Sequence, residues 1–433
     1  MYAESTPRGR GGISIIRISG EHAPEIVGRI TPHARLEPHV QVPALAGEPS
    51  GSFIDQVMVV FHPGPRSYTG EDLVEISCHG NPLVVDGILG LIGATGLARL
   101  AHRGEFTRRA FLNRKMDLLQ AEAVGALIGS TSATGCDMAR SLLKGELSHR
   151  VGVLRDALAG ITAEIESTFI TEEEGVDALD IRERILPVKT AIDSLLEGAQ
   201  ESARLYAGIS TTIAGAPNVG KSSLFNAIIG SDRAIVHHEE GTTRDVIREH
   251  LIIEGVDFIF HDTAGIRETA SGPEQMGIEK TMEALASCDL LIYVVDARRG
   301  VAPFERRWLS QARRTIIAMN KIDLLEGEPV CESGYETVPV SARLGTGVRD
   351  LMTAMARAFS QDQPRVFLDR HILLLRKARR SLDSCLAAAR EGLTPDVMAM
   401  DIRQAAQELS LMTGENLEGD ILEQVFSRFC VGK

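Results

Sequence analysis

Along this chain the spacing of apolar positions changes several times, and each change predicts a different kind of element. Short β-rich runs at Ile13 to Ile18, Val57 to Phe61 and Leu73 to Ser77 are separated by turn clusters such as His62-Pro63-Gly64-Pro65, which predicts a small α+β domain. Between Met116 and Tyr206 the period becomes helical. Leu147, Val151, Leu154, Leu158, Ile161 and Ile165 recur at alternating spacings of four and three, a stripe that must pack against other helices. From Ile209 to Val340, apolar strands end in glycine-rich or polar loops and alternate with helical segments, as a mostly parallel sheet requires. After Pro364 the helical period returns over Arg370 to Ala389 and Asp396 to Leu411, with a last amphipathic set around Ile421, Leu422, Val425 and Phe426. The expected fold class is multidomain α/β: an α/β domain at 207–360 inserted into an all-helical domain (114–206 and 361–433), preceded by an α+β domain at 1–113. The acidic cluster Glu172-Glu173-Glu174 reads as a solvated loop.

Composition narrows the setting. A chain of 433 residues that is 44% hydrophobic is too long for one core, which rarely grows beyond roughly 250 to 300 residues. The formal net charge of -13 argues against general wrapping of nucleic acid and leaves room for a local basic patch. Two such patches are candidates for nucleic-acid phosphate contact or are solvated helix faces: Arg103, Arg108, Arg109, Arg114 and Lys115, and then Arg376, Lys377, Arg379 and Arg380. Cys78, Cys136, Cys288, Cys331, Cys385 and Cys430 lack zinc-site spacing and disulfide-framework spacing, which points to a reducing cytosol. No stretch has the apolar length of a membrane span and the first residues are polar, so a cytoplasmic protein is expected.

The chemistry is concentrated in the α/β segment. Gly215-Ala216-Pro217-Asn218-Val219-Gly220-Lys221-Ser222 fits the phosphate-loop pattern, follows an apolar strand and precedes a helix-like Ser223 to Ile228. Glycines let main-chain N–H groups wrap phosphates, Lys221 reaches the outer phosphates, and Ser222 ligates Mg2+. Asp262-Thr263-Ala264-Gly265 closes the apolar strand Leu251 to Phe260, which puts a carboxylate near the metal. Asn320-Lys321-Ile322-Asp323 supplies a carboxylate that can accept both guanine N–H donors, selecting GTP over ATP, and Ser341-Ala342-Arg343 adds a main-chain contact to the guanine oxygen. Together these motifs predict a P-loop GTPase.

The position that holds a water-orienting glutamine in many small G proteins is Ile266, which can neither donate nor accept. Another group must do that work. Glu274 is the candidate catalytic residue, with an ordinary exposed carboxylate as its alternative. A K+ ion beside the phosphates is the second candidate, held by Asn218, whose alternative role is to stabilise the loop. Gly241-Thr242-Thr243-Arg244-Asp245, lying between the phosphate loop and Asp262 where a switch segment belongs, then provides Thr243 to Mg2+ and Thr242 to K+.

With these motifs placed, the whole chain resembles the MnmE (TrmE) family of tRNA-modifying GTPases. The likeness rests on Gly9-Arg10-Gly11-Gly12 leading to Arg17-Ile18-Ser19-Gly20, on Tyr68-Thr69-Gly70-Glu71-Asp72 and His79-Gly80, and on Gly104 to Asn113. It continues through Lys115-Met116-Asp117-Leu118 and Gln120-Ala121-Glu122-Ala123 to the closing Cys430-Val431-Gly432-Lys433. The resemblance implies a homodimer whose N-terminal domain binds a tetrahydrofolate (5-formyl or 5,10-methylene). It also implies K+-stimulated GTP hydrolysis and a heterotetramer with the FAD-carrying MnmG. Together they would add a carboxymethylaminomethyl or aminomethyl group at C5 of the wobble uridine of certain tRNAs. Carried over by motif, Arg17, Glu75, Lys115 and Lys433 contact folate, and Cys430 stands near it with an open role. His237-His238-Glu239-Glu240 departs from the family's usual Thr-Asp-Ile-Ala-like stretch and alters the charge beside the K+ loop, in which the resemblance implies His237 and Glu239 as further K+ ligands. The rival function is a regulatory G-domain switch in ribosome or RNA assembly, and a third reading makes the chain a scaffold for MnmG and tRNA.

Overall fold

The computed structural model describes residues 1–48, 51, 53–171, 178–231, 235–237, 249–261, 288–327, 334–359, 367–415 and 419–433. They form two units, one of Met1–Ile128, Leu142–Val188 and Arg380–Lys433, the other of Gly129–Ser141 and Lys189–Arg379.

The first unit opens with an antiparallel sheet of β1 (Tyr2–Glu4), β2 (Gly11–Ser19), β3 (Gln41–Gly47), β4 (Phe53–His62) and β5 (Leu73–Gly80), in the order β1-β2-β5-β4-β3. Alternation decides which residues form the core. Ile16 and Ile18 of β2, Val57 and Val59 of β4, and Val74 and Ile76 of β5 turn to one face, where helices Ala23–Ile30 and Pro82–Ala94 cover them with Ile26, Val27, Val85, Ile88 and Ile92. The intervening residues, Arg17 and Glu75 among them, therefore lie on the opposite face. Farther along, helix Glu146–Thr171 packs against helix Pro395–Thr413. The apolar stripe at Val151, Leu154, Leu158, Ile161 and Ile165 is buried, as its spacing predicts, and Met398, Ile402, Ala405 and Leu409 of the second helix are buried too. Ion pairs Arg155–Glu415 and Arg403–Glu166 join the same helical region. The last helix, Gly419–Ser427, carries Leu422 and Phe426 into a small core with Phe429, Leu118 and Ala121.

The second unit holds a seven-stranded sheet of β6 (Ile209–Ala214), β7 (Ile235–His237), β8 (Glu249–Ile253), β9 (Val256–Phe260), β10 (Leu290–Asp296), β11 (Arg314–Asn320) and β12 (Glu336–Pro339). Their order across the sheet is β12-β11-β10-β6-β9-β8-β7. Strands β9, β6, β10, β11 and β12 run parallel, and β8 and β7 are added antiparallel. The run Leu251 to Phe260, expected as one strand, is two: β8 and β9 form a hairpin. The break falls at Glu254-Gly255, both in the left-handed region (φ 49° and 85°), as a two-residue hairpin turn requires. Every residue of β10 is buried, which fits a strand covered on both faces.

Candidate functional site

Parallel strands carry their carboxyl ends to one edge of a sheet, and ligands of α/β folds bind there, where the strand order reverses. In this sheet β6 is flanked by β9 on one side and β10 on the other, and the phosphate loop leaves the end of β6. Helix Lys221–Ile229 follows directly, so the loop's main-chain N–H groups and the helix N-terminus converge. Asn218 and Gly220 both have positive φ (62° and 99°), which curls the loop. Gly215 has to be glycine: a Cβ there would meet the Val294 carbonyl oxygen at 2.2 Å. Lys221 Nζ donates to the carbonyls of Gly215 and Ala216, each at 3.0 Å. Burial lowers the pKa of this lysine. A phosphate oxygen would both replace these carbonyl acceptors and favour the charged amine. Ser222 is the second residue of the helix, beside the lysine, and its hydroxyl fits a Mg2+ ligand by chemistry and by position. Among the described residues there is no group of three or more His, Cys, Asp and Glu that could hold a metal.

Three predicted motifs meet at one side chain. Asn320, at the end of β11 and 2% exposed, donates from Nδ2 to the Val219 carbonyl (2.8 Å) and accepts at Oδ1 from the Ala342 N–H (2.9 Å). It thereby ties the phosphate loop to the Ser341-Ala342-Arg343 turn. The fit is close enough that a Cβ on Gly220 would meet Asn320 Nδ2 at 2.3 Å. Lys321 stands in the left-handed region (φ 65°) and donates to the Asn218 carbonyl at 2.6 Å and to Asp296 Oδ2 at 3.0 Å. Asp323 Oδ1 accepts from the Ser341 hydroxyl at 2.6 Å, and that hydroxyl also receives the Leu344 N–H at 3.2 Å. Ile322 and Asp323 lie on a single 3-10 turn, Ile322–Leu324, and Arg343 is exposed at the rim. Val219 is buried, whereas Ser223 and the Asn218 side chain are exposed.

Asp296, which motif reading passes over, belongs to this cluster. It is buried at the end of β10, receives Arg298 at 2.7 Å and Lys321 at 3.0 Å, and those contacts, Arg298 first, hold its carboxyl well below the usual range. The only sequence signal for it is an aspartate closing the apolar run Leu290 to Val295. His237 ends β7 opposite His250. His238, Glu239, Glu240, Gly241, Thr242, Thr243, Asp262, Thr263, Ala264, Gly265 and Glu274 lie outside the described residues.

A second constellation occupies the first unit. Arg17 and Glu75 are direct cross-strand partners, with Nε to Oε1 at 2.7 Å, and the Arg17 guanidinium carbon lies 5.9 Å from the Tyr68 ring centroid. Lys433 is brought to them by its own main chain: Gly432 (φ 91°) packs so tightly on β1 that a Cβ would meet the Glu4 carbonyl oxygen at 2.2 Å, and the Phe106 N–H donates to the Lys433 carbonyl at 3.1 Å. Burial and then Arg17 lower the Lys433 pKa, while Cys430 and Glu75 act in the opposite direction. Lys115 Nζ donates to the Pro65 carbonyl at 2.9 Å on the loop that carries Tyr68. A carboxylate, a guanidinium, an ammonium and an aromatic face are thus collected on one side of the sheet. This donor set suits a flat heterocycle with N–H donors and an anionic tail. Cys430 is exposed and free. Arg109, counted in a basic run, is turned inward onto Glu71 (2.8 Å) and Glu105 (3.0 Å) and is not a free surface charge.

Residues 118–430 match the family model described as the MnmE helical domain, and residues 1–115 match that of the GTP-binding protein TrmE N-terminus. The tRNA modification GTPase MnmE of Moorella thermoacetica is 38% identical over 100% of this chain and 99% of its own length. Its counterpart from Azoarcus sp. is 39% identical over 100% of this chain and 98% of its own. With family models covering both parts and full-length relatives at this identity, the chain belongs to the MnmE (TrmE) family.

Proposed function

We infer that this protein is a GTP-hydrolysing enzyme of tRNA modification. The observation that carries the reading is Asn320, which fastens a phosphate loop to a guanine-recognition turn on the carboxyl edge of one parallel sheet. The names of full-length relatives supply the tRNA side. In this reading the loop N–H groups and Lys221 hold the phosphates, Asp323 accepts the two guanine N–H donors, and the Ala342 turn faces the guanine oxygen. Ser222 and Thr243 would hold Mg2+, which neutralises developing phosphate charge. Asn218, His237, Glu239 and Thr242 are the proposed K+ ligands, and Glu274 the residue that orients the attacking water. Arg17, Glu75, Lys115 and Lys433 form the proposed site for a tetrahydrofolate (5-formyl or 5,10-methylene), whose one-carbon unit goes to C5 of the wobble uridine. The proposed assembly is a homodimer joined with FAD-bearing MnmG in the cytoplasm.

The test is the GTP hydrolysis rate of the full chain in potassium chloride against sodium chloride at equal ionic strength, paired with wobble-uridine analysis of tRNA incubated with MnmG and Glu274→Ala protein. Fast turnover only in potassium, and loss of modification in a variant that still binds GTP, are the expected results. Slow turnover indifferent to the cation removes the K+ assignment. Normal modification by Glu274→Ala reduces the chain to a scaffold.

A further inference from the structure

A cavity of about 920 Å³ opens in the first unit, beside Lys115. Its wall includes Arg114, Lys115, Gln120, Ser148, Arg155 and Glu415. Several of these are already satisfied. Arg155 is paired with Asp156 and Glu415, Asp117 accepts the Gln120 N–H at 2.8 Å, and Gln120 Nε2 donates to the Leu143 carbonyl at 3.0 Å. The acidic members of the wall are therefore neutralised or used as a helix cap. What remains is donor capacity: Lys115 keeps N–H donors beyond the one given to Pro65, the Ser148 hydroxyl oxygen is buried without a hydrogen-bond partner among the described residues, and the Arg114 guanidinium is exposed.

Arg114 occupies an unexpected place for an arginine. Helix Glu105–Leu112 ends in a turn closed by Lys115 N–H to the Ala110 carbonyl and Arg114 N–H to the Phe111 carbonyl, both at 2.9 Å, and Arg114 takes the left-handed position with φ 56°. Glycine is the usual residue at that position, and a side chain kept there at a conformational cost points to a use for it.

Lys115 connects this cavity to the Arg17 constellation. Its Nζ rests on Pro65 and its stem lies against Gly70, where a Cβ would stand 3.3 Å from Lys115 Cγ. Tyr68, between those two residues on the same loop, is the ring beneath Arg17. We propose that the cavity receives the γ-linked oligoglutamate tail of a folate whose heterocycle lies at Arg17, Glu75 and Lys433. The inference rests on the folate reading above and adds the ligand's form to it. Each added glutamate brings one carboxylate, matched in turn by Lys115, Arg114 and the Ser148 hydroxyl. A concave pocket of small-molecule volume, with its donors gathered at Arg114 and Lys115, fits a flexible tail better than an RNA backbone, whose phosphates are met on extended basic ridges.

The experiment is calorimetric titration of the full chain with 5-formyltetrahydrofolate as the mono- and the triglutamate. The triglutamate is expected to bind about 10-fold tighter, the value of one charge-assisted hydrogen bond. Arg114→Gly, which suits the left-handed turn and so keeps the fold, should remove that advantage and leave the monoglutamate affinity and GTP hydrolysis unchanged. Ser148→Ala should lower triglutamate affinity alone, and Arg114→Lys should keep part of the advantage. Equal affinity for the two ligands overturns the tail site while the folate reading stands. An advantage undiminished in Arg114→Gly also overturns it. Loss of tRNA binding in Arg114→Gly with an unaltered glutamate ratio assigns the cavity to RNA instead, and failure of both ligands to bind removes the folate reading with it.

Discussion

Replacing Asn320 by alanine separates the phosphate loop from the guanine turn. The side chain is 2% exposed and makes one hydrogen bond in each direction, to the Val219 carbonyl at 2.8 Å and from the Ala342 N–H at 2.9 Å. Truncation leaves both main-chain groups without their partner, at about 1–3 kcal/mol for each that stays buried, so unit two should lose on the order of 2–6 kcal/mol. Nucleotide binding must then reorder the two loops. If about half of that cost falls on the bound state, GTP affinity drops roughly 10- to 100-fold. Urea unfolding followed by tryptophan emission reads this unit alone, because Trp308 is the single tryptophan of the chain and packs 6.4 Å from Tyr293 and 5.9 Å from Phe304. A local probe is needed, since a chain of two units is not a two-state system. The midpoint should fall at unchanged m-value, and a fluorescent GTP analogue should dissociate faster. A Trp308 transition shifted by less than about 1 kcal/mol, with GTP affinity intact, would refute the claim that Asn320 is the tie between the loops.

Asp323→Asn removes two charge-assisted acceptors for guanine and should weaken GTP by about 10²- to 10⁴-fold while raising affinity for xanthosine triphosphate, whose C2 carbonyl oxygen can accept from the amide N–H; competition binding in which the preference does not shift contradicts the assignment. Gly432→Ala should weaken folate binding although glycine has no side chain to touch a ligand, because the new Cβ would lie 2.2 Å from the Glu4 carbonyl and must push the Lys433 segment off Arg17 and Glu75. Equilibrium dialysis giving the parent affinity would show that the tail position is irrelevant. Burial works to raise the Glu105 pKa, but Arg99, the His102 N–H and Arg109 outweigh it and hold the value at about 2 against an ordinary 4.5. A lowered carboxyl pKa stabilises the fold above the unfolded value and the benefit is lost as pH falls toward the folded one. Stability should therefore decline between pH 4.5 and about 2 by on the order of 2–3 kcal/mol, discounted for the exposure of Arg99, and Glu105→Gln should flatten that part of an acid titration followed by circular dichroism.

By itself the sequence determined what depends on contiguous residues or on fixed periods. The phosphate loop, the Asn320 to Asp323 motif, the apolar stripe from Val151 to Ile165 and the change from an α+β pattern to a mostly parallel α/β one are all local, because strand and helix periods and loop chemistry are properties of neighbours in the chain. Tertiary structure alone decided the pairings between distant residues. Asn320 reaches Val219 across 101 positions, Lys321 reaches Asn218 across 103, and Arg17 finds Glu75 across 58 through a strand register that no local pattern specifies. Asp296 joined the Asn320-Lys321 cluster only because β10 lies beside β11, which places its carboxylate against Lys321. In Leu251 to Phe260 two local signals conflict: Glu254-Gly255 is a turn pair inside an apolar run, and the turn prevailed as β9 found β6 for a parallel neighbour and β8 folded back on β9. Motifs thus name the chemistry from a few adjacent residues, whereas the geometry that makes it work comes from long-range packing, where many weak contacts choose among registers that the chain's own periodicity leaves equivalent.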